Sequence, residues 1–286
     1  MPYSRREFTK AALGGLPLSL FAAKVDGVML GVMTYSYRAL PQTPGVDRVD
    51  GQIEALKANG SRDIELFEAE LQPPAKAEGL DKWRLASQMD HFKAARKKLD
   101  AAGITTHAYT VNYRDTLTDE DLDHTFEQAK VLGTNVIAAS TQVSMAKRLA
   151  SFAEKHKIYV AFHGHSNTKD PNEFATPESF RTALAISPYF RINLDIGHFS
   201  AAGYDPVAYI QEHHDRITHL HMKDRKKNDG PNMPWGQGDT PIKQVLLLLK
   251  EKKYPLPALV EYEYRGTGTP VEEVQKCLDY MRQAIA

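Results

Sequence analysis

Cysteine occurs once in the 286 residues, at Cys277, so no intramolecular disulfide can form and this thiol reads as a packing residue near the C-terminus. Net charge is lacking too. With 36 Lys and Arg against 36 Asp and Glu, no overall positive field exists to attract nucleic acid. No segment supplies the roughly 20 uninterrupted apolar residues that a membrane-spanning helix requires. A nucleotide-binding fingerprint is missing, because Gly236-Gln237-Gly238 is too short a glycine pair to mark a phosphate loop and reads as a turn before Thr240. No low-complexity linker divides the chain beyond its first two dozen residues, and one (β/α)8 barrel of roughly 250 residues would use nearly all of the remainder. What is present, 42% hydrophobic and 25% charged residues, suits a globular enzyme-sized protein.

The N-terminus reads differently from the rest. Ser4-Arg5-Arg6-Glu7-Phe8-Thr9-Lys10 precedes an apolar run over residues 11–23. An amphipathic helix there would be weakened by Gly14, Gly15 and Pro17, whereas paired arginines before a short apolar segment resemble a twin-arginine export signal. The expected division is therefore a signal over residues 1–24 and a barrel over 25–286. The resemblance implies a folded, metal-loaded passenger in the periplasm or at the cell surface.

From residue 28 onward, short apolar or alternating runs recur at residues 28–37, 63–68, 104–111, 135–139, 158–165, 191–195, 217–223 and 257–264, with helical stretches between them. Eight such units without a second domain predict an α/β fold of the closed TIM-barrel type rather than an open doubly wound sheet. Phe92, Ala95, Leu99 and Ala102 repeat at helical spacing and stop at Gly103, and Gly133 ends the next helix similarly. Thr176-Pro177, Thr240-Pro241 and Thr269-Pro270 each place an N-cap hydroxyl before a helix-starting proline.

In a barrel, alternate side chains face inward and catalytic groups gather at the C-terminal ends of the strands. Those positions carry polar residues here. The fifth run ends in His163-Gly164-His165, the sixth in Asp195 followed by His198, and the seventh puts His219, His221 and Lys223 on one face. The eighth does the same with Glu261 and Glu263, while the second and third contribute Glu65 and His107. Acids and imidazoles converging on one rim need a shared partner, since a buried carboxylate is costly unless paired, hydrogen-bonded or bound to metal. One divalent cation supplies that partner, and the mixed oxygen and nitrogen donors suit manganese, zinc, cobalt or iron. Aromatics such as Tyr35, Tyr37, Tyr109 and Tyr113 read more simply as packing.

Together Asn193-Leu194-Asp195-Ile196-Gly197-His198, His219-Leu220-His221-Met222-Lys223-Asp224, Gly236-Gln237-Gly238-Asp239 and Val260-Glu261-Tyr262-Glu263 resemble the sugar phosphate isomerase/epimerase family and its xylose isomerase-like barrel. The resemblance implies one divalent metal on Glu, Asp, His and Glu from strands five to eight. The last three fall on Asp195, His221 and Glu261. Where the family offers the first Glu this chain has His163, which can also bind the metal but changes the site's charge by about one unit. His198, with Glu65, His107 and His219, is placed to contact substrate or support the ligands.

Ketose epimerases of the family use both ligand glutamates as an acid–base pair, and here one is replaced. The resemblance therefore favours a proton-abstracting isomerase, epimerase or lyase acting on a small-molecule sugar, keto-sugar or oxidised glycoside, with Glu261, Glu263, His165 and Lys223 as candidate proton carriers. A metal-dependent phosphodiester hydrolase is the first alternative, disfavoured by neutral charge and a single ligand set. A non-catalytic sugar-binding barrel is the second.

Overall fold

A computed structural model describes residues 24–41, 48–71 and 89–286. All but Lys24 of the expected export signal lies outside the described residues. Eight strands close in sequence order into one parallel barrel, so the expected fold class holds: β1 Leu30–Met33, β2 Asp63–Phe67, β3 Thr105–Asn112, β4 Val136–Ser140, β5 Tyr159–His163, β6 Phe190–Asp195, β7 Ile217–Met222 and β8 Ala258–Val260. Closure is made by β1 against β8, with Val32 opposite Val260. No helix among the described residues is long and apolar enough to cross a membrane.

The period-two alternation of the strands sorts two different interiors. Outward positions such as Ile64, Tyr109, Ile137, Val160 and Ile192 join helix residues such as Leu56, Phe92, Leu149 and Phe180 in the large apolar core between barrel and helices. Inward positions on β3, β4 and β5 carry Ala108, Ala138 and Ala161, which with Val136 form a small separate cluster. Inward positions on β2, β6 and β7 include the polar Glu65, Asn193, Asp195, His219 and His221, all essentially buried. Gly31 on β1 is required by close approach, because a Cβ there would meet the Asp63 carbonyl oxygen at 2.1 Å.

Helix punctuation follows the sequence in most places. Thr176 and Thr269 cap the helices Pro177–Leu184 and Pro270–Ile285 with reciprocal capping boxes. Gly103 and Gly133 adopt the left-handed backbone after their helices. Thr240 is the exception: the helix Ile242–Lys252 begins from Pro241 without a side-chain cap, since the Thr240 hydroxyl accepts the Arg225 N–H instead.

β1 and β8 are less than half as long as their apolar runs suggest. β1 stops at Met33 and turns into a single 3-10 turn, Thr34–Tyr37, which carries Ser36 to the edge of β8. The Ser36 hydroxyl donates to the Val260 carbonyl and accepts the Tyr262 N–H. One side chain thus replaces the strand ladder, and Glu261 and Glu263 are delivered on a segment beyond β8.

Candidate active site

His163 and Asp195 are the last residues of β5 and β6, His221 is the penultimate residue of β7, and Glu261 directly follows β8. One ligand atom from each lies within 4.8 Å of the others. Their inward atoms coincide with that convergence: His163 Nδ1, Asp195 Oδ2, His221 Nδ1 and Glu261 Oε2 are all buried, and beyond the ion-pair contacts of His221 with Glu261 and of Lys223 with Asp195 and Glu261 they have no hydrogen-bond partner. Four buried donor atoms facing one point with so few hydrogen bonds are rare in native proteins, and a divalent cation with mixed nitrogen and oxygen donors fits them. Asp195 serves twice. Its Oδ1 accepts the His198 N–H at 2.7 Å and caps the helix Ile196–Ala201, leaving Oδ2 for the cluster.

The cluster's electrostatics follow from burial, from the Lys223 ammonium and from His221. Lys223, 2% exposed, puts Nζ 3.1 Å from both Asp195 Oδ2 and Glu261 Oε2 and 2.6 Å from Glu263 Oε2. Gly197 permits this, because a Cβ there would lie 2.7 Å from the Lys223 carbonyl oxygen. Burial opposes the ammonium's charge, but Asp195, Glu261 and Glu263 outweigh it and raise its pKa. The two ligand carboxylates share that ammonium unequally. Burial also opposes the Glu261 charge, yet Lys223 and His221 hold this carboxyl well below its usual range, whereas burial pushes Asp195 up to about 7. Burial disfavours a charged His221 as well, but Glu65 and Glu261 raise it well above the usual imidazole range. His163 is held well below that range by burial and by His221, which leaves it neutral.

Above the cluster lies a pocket of about 200 Å³. His163, His165, His221, Glu261 and Glu263 form its polar side, Thr110, Asn112 and Ser140 add hydroxyl and amide groups, and Met33, Tyr35 and Phe67 form an apolar wall. Tyr35 therefore faces the pocket, although its sequence suggested packing; Tyr37, Tyr109 and Tyr113 are core residues. His165 stands with its ring 4.9 Å from that of His163 and its Nδ1 3.2 Å from Glu173. Burial and the Lys223 charge lower its pKa.

The other expected substrate contacts are placed elsewhere. Glu65 and His219, 0% and 1% exposed, sit inside the barrel beneath the pocket, with His219 Nε2 2.8 Å from Glu65 Oε2. His107 pairs with Asp63 at 2.7 Å, two residues nearer the strand's N-terminal end than Glu65. A shared strand face is not a shared depth, so these three do not line the pocket. His198 is also set back: its Nε2 meets Lys223 at 3.1 Å and its Nδ1 meets Arg225 at 2.6 Å, so it braces the lysine from behind. Thr110, Asn112, Ser140 and Arg225 were missed from sequence. The alternation Ala108, Thr110, Asn112 at the end of β3 was the available signal for two of them.

Residues 53–284 match the family described as xylose isomerase-like TIM barrel. L-ribulose-5-phosphate 3-epimerase UlaE of Salmonella paratyphi A and its Escherichia coli counterpart are each 30% identical to the chain over 100 residues. That stretch is 35% of this chain and 35% of each relative, so the match spans about a third of their length. Among solved structures, the probable 3-DHS dehydratase AsbF of Bacillus anthracis superposes with TM-score 0.65 at 16% identity, covering 88% of this chain and 98% of that one. The IOLI protein with a bound zinc atom gives TM-score 0.65 at 16% identity, covering 90% and 97%. A sugar phosphate isomerase/epimerase from Parabacteroides distasonis gives 0.62 at 19%, covering 88% and 93%. At these identities the structures bear on the fold, while the family match extends from the first barrel helix through the last: the chain belongs to the xylose isomerase-like TIM barrel family.

Proposed function

We propose that this protein is a divalent-metal-dependent isomerase, epimerase or lyase that removes a proton beside the carbonyl of a sugar, keto-sugar or oxidised glycoside. The observation that carries this reading is the convergence of four buried ligand atoms at the base of the pocket, with proton-carrying groups on two sides of the same pocket. The similarity to a sugar phosphate 3-epimerase over part of the chain and to a zinc-containing barrel supports it. A divalent cation held by His163, Asp195, His221 and Glu261 would polarise a substrate oxygen and acidify the neighbouring C–H.

The chain's own groups then divide the remaining work. His165 is the base: its imidazole is kept neutral, its Nδ1 is steadied by Glu173, and its other nitrogen is left to accept a proton. His165 thereby takes the place of the acid–base glutamate that His163 displaces. Glu263, on the β8 side, holds the second proton position and is fixed by Lys223 at 2.6 Å. Lys223 itself stays charged and orients rather than abstracts, because three carboxylates surround it. Tyr35 and Phe67, edge-to-face at 5.4 Å, offer the apolar wall against which a sugar ring stacks.

Incubation of the zinc- or manganese-loaded enzyme with keto-sugars and 3-oxidised glycosides in deuterated water is expected to label the carbon next to the carbonyl, and His165→Asn to slow labelling about 10²- to 10⁴-fold. Turnover with no label in product or recovered substrate, at a rate the His165→Asn change leaves intact, would overturn the reading. Cleavage of a phosphodiester without carbonyl chemistry would establish hydrolysis instead.

We propose that the first two dozen residues direct export, on the support of Arg5-Arg6 and the apolar run after them. Replacing both arginines by lysine is expected to retain the protein in the cytoplasm. Undiminished export of that double variant would rule the signal out.

A further inference from the structure

Beneath the metal cluster is a second set of buried groups that the proposed chemistry does not use. Glu65, on β2, is fully buried and receives the Thr110 hydroxyl on Oε1, while its Oε2 lies 2.8 Å from His219 Nε2 and 2.5 Å from His221 Nε2. His221 is thus gripped from below at Nε2, and its Nδ1 is the atom turned up toward Glu261, His163 and Asp195.

We propose that Glu65 is the positioning residue of the metal centre: as a buried carboxylate it accepts the Nε2–H of His221, so that the Nδ1 lone pair is the one presented to the metal. The proposal rests on the ligand set proposed above and adds the tautomer and orientation of one ligand. A neutral imidazole has one donor and one acceptor nitrogen, and the hydrogen bond at one decides the role of the other. Asn193 Nδ2 also lies 3.1 Å from Nε2 and could donate to it, which would place the proton on Nδ1 and block the metal. A neutral amide at 3.1 Å does not outcompete an ionised carboxylate at 2.5 Å, since charge-assisted hydrogen bonds are roughly twice as strong.

Glu65 is itself over-determined. His219 Nε2 and His221 Nε2 both reach its Oε2, at 2.8 and 2.5 Å. Thr110 fixes the oxygen that the histidines do not use, so the carboxylate cannot rotate freely. Its position on β2, across the barrel interior from β7, also explains an acidic residue at full burial with no access to substrate.

Glu65, His219 and His221 also bring ligand atoms within 4.8 Å of one another, so the competing interpretation is a second, deeper metal ion sharing His221. Three measurements on the full chain separate these cases, with zinc as the probe. Zinc titration of the unaltered protein is expected to give one ion per chain. Nitrogen-15 spectra of the histidine side chains in that zinc-loaded protein are expected to show His221 protonated at Nε2 and bound through Nδ1, which requires no variant. Glu65→Gln, nearly the same shape without the charge, is expected to weaken zinc affinity about 10- to 100-fold and to shift the absorption bands of the cobalt-substituted protein.

An Nδ1-protonated His221 overturns the proposal, as do two zinc ions per chain or a Glu65→Gln affinity within about threefold of the unaltered value. Failure of the unaltered protein to bind zinc or cobalt at all overturns the ligand set and this proposal with it. If Glu65→Gln does not fold, the tautomer and the stoichiometry still decide.

Discussion

Asp195→Asn is expected to lower zinc affinity by at least about 100-fold and turnover by about 10³-fold while leaving the fold intact. The substitution separates the two tasks of this carboxyl group. An asparagine oxygen can still accept the His198 N–H and cap the helix Ile196–Ala201, but the neutral amide is a poor substitute for Oδ2 in the cluster. Asp195→Ala would lose the metal and also about 1 kcal/mol of capping. The same centre gives zinc binding a definite pH dependence. In the metal-free protein Glu65 and Glu261 raise the His221 pKa against the effect of burial, and burial pushes the Asp195 carboxyl up to about 7, so protons are released as these groups become ligands. Affinity therefore rises with pH, steeply up to about 7 and less steeply above, where Asp195 is already ionised. Calorimetry in buffers of different ionisation enthalpy should count more protons released per zinc bound at pH 6 than at pH 8. A proton count independent of pH, or Asp195→Asn with unchanged affinity, would show that the ligands lie elsewhere.

Lys223→Met is expected to destabilise the metal-free protein by about 3–5 kcal/mol, the usual cost of removing one partner from a buried ionic cluster. Asp195 and Glu263 take their positive counter-charge from this ammonium, Glu261 shares it with His221, and His198 and Gly197 pack against it. Much of that loss should return on saturation with zinc, because the cation supplies the missing charge to Asp195 and Glu261. Glu263 is not compensated in this way. With its ion-pair partner gone, turnover should remain depressed about 10²-fold or more even in the fully loaded variant. Denaturant unfolding with and without zinc, alongside initial rates, measures all three effects. Equal destabilisation in the two states would mean that lysine and metal do not neutralise the same carboxylates.

Eight apolar runs, their glycine and threonine-proline punctuation and the polar ends of runs five to eight were local patterns, and local patterns are what a sequence displays. They determined the barrel, its strand count and the residues that meet at its C-terminal rim, because strand alternation and rim placement follow once a parallel barrel closes. Depth was not legible. Glu65, His219 and His221 share inward faces with pocket residues, yet each step of two along a strand carries a side chain one layer further along the barrel axis. Only the mutual stagger of β2, β6 and β7, with irregularities in register at Ile64–Glu65 and Ile192–Asn193, decides which layer meets which. Thus His107 and Asp63 pair in the lower barrel, Glu65 lies under His221, and Lys223 reaches across the top to Glu263. The sequence likewise carried no sign that Ser36 would end the β1–β8 ladder and free the Glu261–Glu263 segment, since that contact joins residues more than 220 positions apart. Chemistry-bearing residue types are a property of the chain, but which nitrogen of His221 faces a metal and which faces a buried carboxylate is set by packing between distant strands.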